Sequence, residues 1–229
     1  MGRKRNISIS SKFRGRRSLR ELQIRSERKY LLIVCEGQET EPNYFRAIQK
    51  KLPRELTSTV NIIGTGANTK SVVKFAKREV KRAQQQRGRE YDEVWVVIDR
   101  DSFPAEHFNA AIAQCIATPK FYCAWSNEAF ELWYVLHFQY RNTAMSRGDY
   151  ERVITDELTK QLPDSELPFR YRKNDERMYQ LLQTYGNEAD AIRNAKKLVE
   201  EFVDERFATH NPCTRIFALV ERLNALRET

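Results

Sequence analysis

Short apolar runs alternate along the chain with segments in which apolar residues recur at helical spacing. Residues 30–35 form one continuous apolar run, the pattern of a strand covered on both faces. Residues 59–63, 91–98 and 121–125 read as three more strands. Between the first two, Tyr44, Phe45, Ile48 and Leu52 recur on one helical face. Thr40 can N-cap that helix, with Glu41 and Pro42 in its first turn. A basic helix is predicted over 70–87, another from Pro104, and another over 128–138. Strands alternating with helices predict an α/β fold, a Rossmannoid parallel sheet with helices on both faces.

Beyond Tyr140 the strand signals fade. Helices are predicted near 149–161, 175–184, 188–206 and 212–227, the last opened by Asn211-Pro212, with 166–173 as an extended connector. The layout has three parts: a basic arm over 1–29, an α/β core over 30–140, and a helical C-terminal section over 141–229 that completes the site. No run approaches the ~18 apolar residues of a membrane span, and no apolar segment backs the N-terminal basic residues as in a secretory signal. A cytoplasmic protein is expected. Cys35, Cys115, Cys123 and Cys213 lie far apart without a C-x-x-C pair and read as buried apolar thiols.

Splitting the charge changes the picture. Residues 1–29 carry eleven Lys or Arg against Glu21 and Glu27, which accounts for the whole formal net charge of +9. Of the chain's 40 basic and 31 acidic side chains, the other 200 residues hold 29 of each. An arm this basic, with Arg14, Arg16 and Arg17 at its centre, suits a phosphate backbone and salt-dependent binding without sequence choice. A solubilising tail would have the same composition. Ser18-x-x-Glu21 is a capping-box signature for a short helix within it.

Candidate chemistry sits at strand ends. Asp99 and Asp101 are two residues apart at the carboxyl end of the third strand, so period-2 geometry sends them to one side. Glu36 ends the first strand at the same edge, where sites of parallel α/β sheets form. No cation-supplying side chain for these three carboxylates is obvious in the local sequence. A hard divalent cation, Mg²⁺ or Mn²⁺, would compensate them. An acidic loop or a helix cap would explain Asp-x-Asp alone. Neither Glu36 nor Asp99 is expected to support the core.

Gly64-Thr65-Gly66-Ala67-Asn68-Thr69-Lys70 joins a strand to a helix, where free N–H groups can hold a phosphate. Gly64, Gly66, Asn68, Thr69 and Lys70 are the candidates; Walker A spacing is absent, and an ordinary glycine turn fits equally. His137, flanked by Leu136 and Phe138, reads as structural, and His107 and His210 show no partner. Trp95, Trp125, Phe130, Trp133 and Tyr134 could stack bases, but their alternation with aliphatics fits core packing better.

The sequence Cys35-Glu36-Gly37-Gln38-Glu39-Thr40-Glu41-Pro42-Asn43-Tyr44-Phe45, then Asp99-Arg100-Asp101, then Ser126-Asn127-Glu128-Ala129-Phe130-Glu131-Leu132-Trp133 resembles the RloB family. These are Toprim-like proteins of bacterial defence loci, related to abortive-infection proteins. The resemblance runs from the basic arm to Thr214. The chain departs from the family pattern at Glu128, which stands where the family has proline after Ser-Asn; this touches the start of the next helix and leaves the ligands as they are.

The resemblance implies a Toprim-type nuclease acting on RNA, tRNA included, or DNA in antiviral defence. Glu36 would be general base or metal ligand, and Asp99 and Asp101 would hold Mg²⁺. Glu41 and Glu131 would serve a second cation, although Glu131 also fits the exposed face of an amphipathic helix. Lys173 would stabilise charge on the scissile phosphate. An ABC- or AAA-type ATPase is the implied partner, and a homo-oligomer is left open. Two other classes stand beside this reading. One is a non-catalytic nucleic-acid-binding subunit. The other, nucleotidyl or glycosyl transfer, leaves Glu36 and the arm without roles.

Overall fold

The computed structural model describes residues 29–66, 69–88, 90–101 and 104–227. Five strands, β1 (Leu31–Cys35), β2 (Val60–Gly64), β3 (Glu93–Asp99), β4 (Phe121–Asn127) and β5 (Cys213–Thr214), form one sheet in the order β2-β1-β3-β4-β5. The first four run parallel; β5 is antiparallel to β4, pairing Ser126 with Thr214. This is a Rossmann-like α/β sheet, as expected. The β5 pairing was not foreseen.

Every residue of β1 is fully buried because both faces are covered. Leu31, Ile33 and Cys35, with Trp95 and Val97, face one core; Leu32 and Val34, with Val94, Val96 and Ile98, face the other. The second core is closed by α3 (Thr69–Arg87) and α4 (Ala105–Ile116). The first is closed by α1 (Thr40–Gln49), α5 (Glu131–Val135), α6 (Arg147–Thr159), α7 (Met178–Tyr185), α8 (Glu188–Glu200) and α9 (Ile216–Ala225). A short α2 (Arg54–Thr57), absent from the expectations, sits between α1 and β2. The five aromatics singled out above are all buried, as core packing requires.

Helices differ from expectation for local reasons; α9 opens at Ile216 rather than at Asn211-Pro212, because Cys213–Thr214 pair with β4 as β5. The segment predicted as a helix over 128–138 narrows to α5, because Leu136, His137 and Phe138 continue as turns. Thr40 does not cap α1: its hydroxyl donates to the Lys173 carbonyl at 3.0 Å, and the N-cap position falls to Glu39. By contrast, α6 starts on a complete capping box, Ser146 with Asp149. The peptide bonds Asn127–Glu128, Leu167–Pro168 and Asn211–Pro212 are cis. His210 has a partner after all, its Nε2 lying 2.8 Å from Asp204 Oδ1 and its ring stacked on Phe202. The four cysteines are free thiols, three of them buried. No helix among the described residues is long and apolar enough to cross a membrane.

Candidate functional site

Strands β1 and β3 end side by side, with Cys35 in register with Val97. Glu36 N donates to Val97 O at 2.9 Å, and Asp99 N donates to Glu36 Oε2 at 3.3 Å. Asp99 closes β3 and is only 7% exposed. Its Oδ2 accepts the Phe130 N–H at 3.0 Å, while Oδ1 is buried without a hydrogen-bond partner. Asp99 therefore supports the turn into α5, contrary to the expectation that it is dispensable to the core.

Asp101 lies past the strand, so the period-2 argument does not carry it. A left-handed backbone, φ +36°, and an N–H bond to Glu128 O at 3.0 Å aim this residue instead. Aspartate tolerates that region better than most residues.

Two more carboxylates come from helix starts. A side chain at Gly37 would meet Glu41 Oε2 at 2.2 Å, so the glycine is what lets Glu41 fold back onto the Gly37 and Glu41 N–H groups. Glu131, in the first turn of α5, is 2% exposed and accepts the Tyr171 hydroxyl at 3.1 Å. It is not a solvated helix-face residue; the 168–173 connector covers it.

The missed residue is Arg147, the first residue of α6. Its guanidinium lies 3.1 Å from Asp101 Oδ2, 3.4 Å from Asp99 Oδ2 and 3.7 Å from Glu131 Oε2. The cluster thus has a counter-charge inside the chain, 46 residues beyond Asp101. One sequence signal could have found it: an arginine directly after an N-cap serine, at the helix end that disfavours cations.

Burial raises the Asp99 carboxyl well above the ordinary range, and the neighbouring Glu41 and Glu131 raise it further against the pull of Arg147. Burial also raises Glu41, opposed by its backbone N–H bonds. Burial alone would pull Arg147 down; Glu131, Asp99 and Asp101 outweigh it and hold the guanidinium above its ordinary value.

All these groups line one cavity of about 290 Å³. Glu36, Glu41, Asp99, Asp101, Glu131, Arg147 and Lys173 meet there, with Gly37, Thr40, Gly66 and Phe130 completing the wall. Lys173 is exposed at the rim, anchored through its carbonyl to Thr40. Gly64 does not line the cavity; it permits close packing, since a Cβ there would sit 2.7 Å from Gly37 O. Gly66 does line it, at φ +60° against Gln38. The backbone of Thr69 and Lys70 opens α3, and the side chains of both lie outside the described residues, as do Asn68, Arg14, Arg16, Arg17 and the predicted cap at Ser18.

The donor set is all oxygen and includes a buried orphan, Asp99 Oδ1, which fits a hard cation. In this arrangement no three acidic, His or Cys side chains among the described residues are grouped to hold one.

The sequence model of the RloB-like proteins matches residues 31–223. The chain belongs to this family. The RloB-like region contains every carboxylate of the cavity together with Arg147 and Lys173, and it starts after the basic arm. No curated protein and no solved structure matched this RloB-like chain.

Proposed function

We propose that this RloB-like protein is a Mg²⁺- or Mn²⁺-dependent nuclease of the Toprim type, cleaving phosphodiester bonds of RNA or DNA in antiviral defence with an ABC- or AAA-type ATPase as partner. One observation carries the reading. Five carboxylates and two cationic side chains line a single cavity at the carboxyl ends of β1 and β3, and a buried oxygen in it, Asp99 Oδ1, is unpartnered.

Asp99, Asp101 and Glu36 would hold the cation, with Glu41 and Glu131 beside them. Bound there, the cation supplies charge neutralisation and a water of lowered pKa. Glu36 is half-buried, next to the Asp99 N–H, and would accept a proton from the attacking water. Lys173 at the rim meets the phosphate, where a positive charge matters most as the oxygens gain charge. The buried Phe130 forms part of the cavity wall.

A second reading, a nucleic-acid-binding subunit, is favoured by Arg147, which offsets part of the charge of Asp99 and Asp101 from within the chain. Labelled RNA and DNA oligonucleotides incubated with Mg²⁺, Mn²⁺ or EDTA separate the two. The nuclease reading expects cation-dependent cleavage that Glu36→Gln and Asp99→Asn each abolish while both variants keep their circular-dichroism spectra. Wild type that binds the oligonucleotides and never cleaves them, or cleavage that persists in Glu36→Gln, would reject it.

A further inference from the structure

We infer that Arg147 is an exchangeable internal cation: its guanidinium occupies the place a divalent metal takes in the acidic cavity, and metal binding expels it toward solvent. The inference rests on the proposed metal site and adds a residue that gates it.

Three observations carry it. First, the guanidinium fits its carboxylates loosely. Its contacts of 3.1, 3.4 and 3.7 Å compare with 2.6 Å for Arg152–Asp149 and 2.8 Å for Arg222–Glu93 in the same chain. Charge-assisted pairs that are built to last are short and often bidentate. Here Asp99 Oδ1 is buried without a hydrogen-bond partner, and the buried Arg147 Nε, 3.7 Å from Glu131 Oε2, is beyond hydrogen-bond reach of it. A guanidinium that leaves a donor of its own and an acceptor of its partner unmet is a poor permanent occupant of a buried site.

Second, the position is wrong for a helix-stabilising arginine. Arg147 is the first residue of α6, at the end whose dipole repels cations. The capping box Ser146–Asp149 already secures that helix start, so Arg147 is not needed for it.

Third, there is a way out. The side chain is 25% exposed, and the residues before it, 142–144, are exposed and irregular. Rotation about its own side-chain bonds moves the charge from cavity to rim, where Lys173 also lies. There both charges face the phosphate of an incoming strand.

The same positive charge would then serve in sequence as counter-ion to the empty carboxylates and as a phosphate contact once the metal is in. Binding of metal and binding of substrate would be coupled through one side chain.

The test is Mn²⁺ binding to the full-length, EDTA-stripped protein, with free Mn²⁺ read by electron paramagnetic resonance. Wild type, Arg147→Met and Arg147→Lys are compared, each with and without Asp99→Asn. Removing the competing charge in Arg147→Met should tighten Mn²⁺ by about tenfold or more, the equivalent of ~1.4 kcal/mol. Arg147→Lys should fall between the two, and Asp99→Asn should abolish the gain. Equal or weaker binding in Arg147→Met overturns the inference and leaves the metal site standing. Absence of binding in every variant overturns both. Should Arg147→Met lose its circular-dichroism spectrum in EDTA, Mn²⁺ is expected to restore it; a variant unfolded with and without Mn²⁺ would make Arg147 a structural residue and end the idea.

Discussion

The Tyr171 hydroxyl donates to Glu131 Oε1 at 3.1 Å, and both side chains are buried. This bond joins the C-terminal connector to a cavity carboxylate across 40 residues of sequence. A hydrogen bond to a charged acceptor contributes about 1.5–3 kcal/mol, and losing it leaves a buried oxygen unmet. Tyr171→Phe should therefore lower Tm by roughly 3–10 °C for a chain of this size. A differential scanning measurement in EDTA reads it; an unchanged Tm would mean the bond is not made in solution.

Two glycines should respond differently to alanine. At Gly64 the new Cβ would face backbone, Gly37 O at 2.7 Å, and the Pro42 ring at 2.8 Å, neither of which yields easily. Overpacking of that kind costs about 1–3 kcal/mol. At Gly37 it would face the far end of Glu41, which can swing aside. Gly64→Ala should shift the urea midpoint well below wild type. Gly37→Ala should shift it by less than half as much and instead weaken Mn²⁺ binding, because the displaced carboxylate leaves the cavity wall. The reverse order of midpoints would contradict the geometry.

How much of this was legible in the sequence depends on how local each signal is. β1 and β3 are readable because burial on both faces makes every position of residues 31–35 and 94–98 apolar. Glu36 and Asp99 follow from those strand ends. β5 could not be read: Cys213–Thr214 is too short for any period, and its pairing with Ser126 and Asn127 is set by the tertiary packing around it. Asp101 reaches the cavity through a left-handed turn rather than through the pleat, which no strand period foretells. Arg147 is not legible because its hydrogen-bond partners Asp101 and Asp99 are 46 and 48 residues away, and a lone arginine at a helix start looks like surface.

His137 gives a pH dependence of definite sign. Burial pulls its imidazole down to about 4, against the hydrogen bond with the Trp133 carbonyl, and Nε2 is buried without a partner. The folded state therefore keeps the ring neutral, whereas the unfolded chain takes up a proton near the ordinary histidine value of about 6.5. Its contribution is fully present above pH 6.5 and is lost as pH falls toward 4. The loss is of order 3 kcal/mol over that window. His137→Gln, which can keep the bond to Trp133 O, should flatten the acid limb of a Tm-against-pH curve recorded between pH 7 and 4. A variant whose curve falls as steeply as wild type would place the acid sensitivity in other groups.

The last expectation concerns the arm, residues 1–29, whose net charge of +9 is set against zero for the other 200 residues. The acidic cavity has no net attraction for a polyanion, so affinity for nucleic acid must come from elsewhere in the chain. Deleting residues 1–17 removes seven basic side chains, Arg14, Arg16 and Arg17 among them, and no acidic one. Each phosphate neutralised contributes roughly 0.7–0.9 to the slope of log affinity against log salt. The truncated protein should bind more weakly and with a slope shallower by about one to several units, while the Tm of the fold and Mn²⁺ binding at the cavity stay as in full-length protein. A tail that only solubilises would leave affinity and slope untouched and change aggregation alone. Fluorescence anisotropy at three salt concentrations, on one RNA and one DNA oligonucleotide, distinguishes these outcomes. It also shows which nucleic acid the protein prefers, and a preference that survives truncation resides outside residues 1–17. Superimposable titrations of full-length and truncated protein would remove the arm from the binding mechanism.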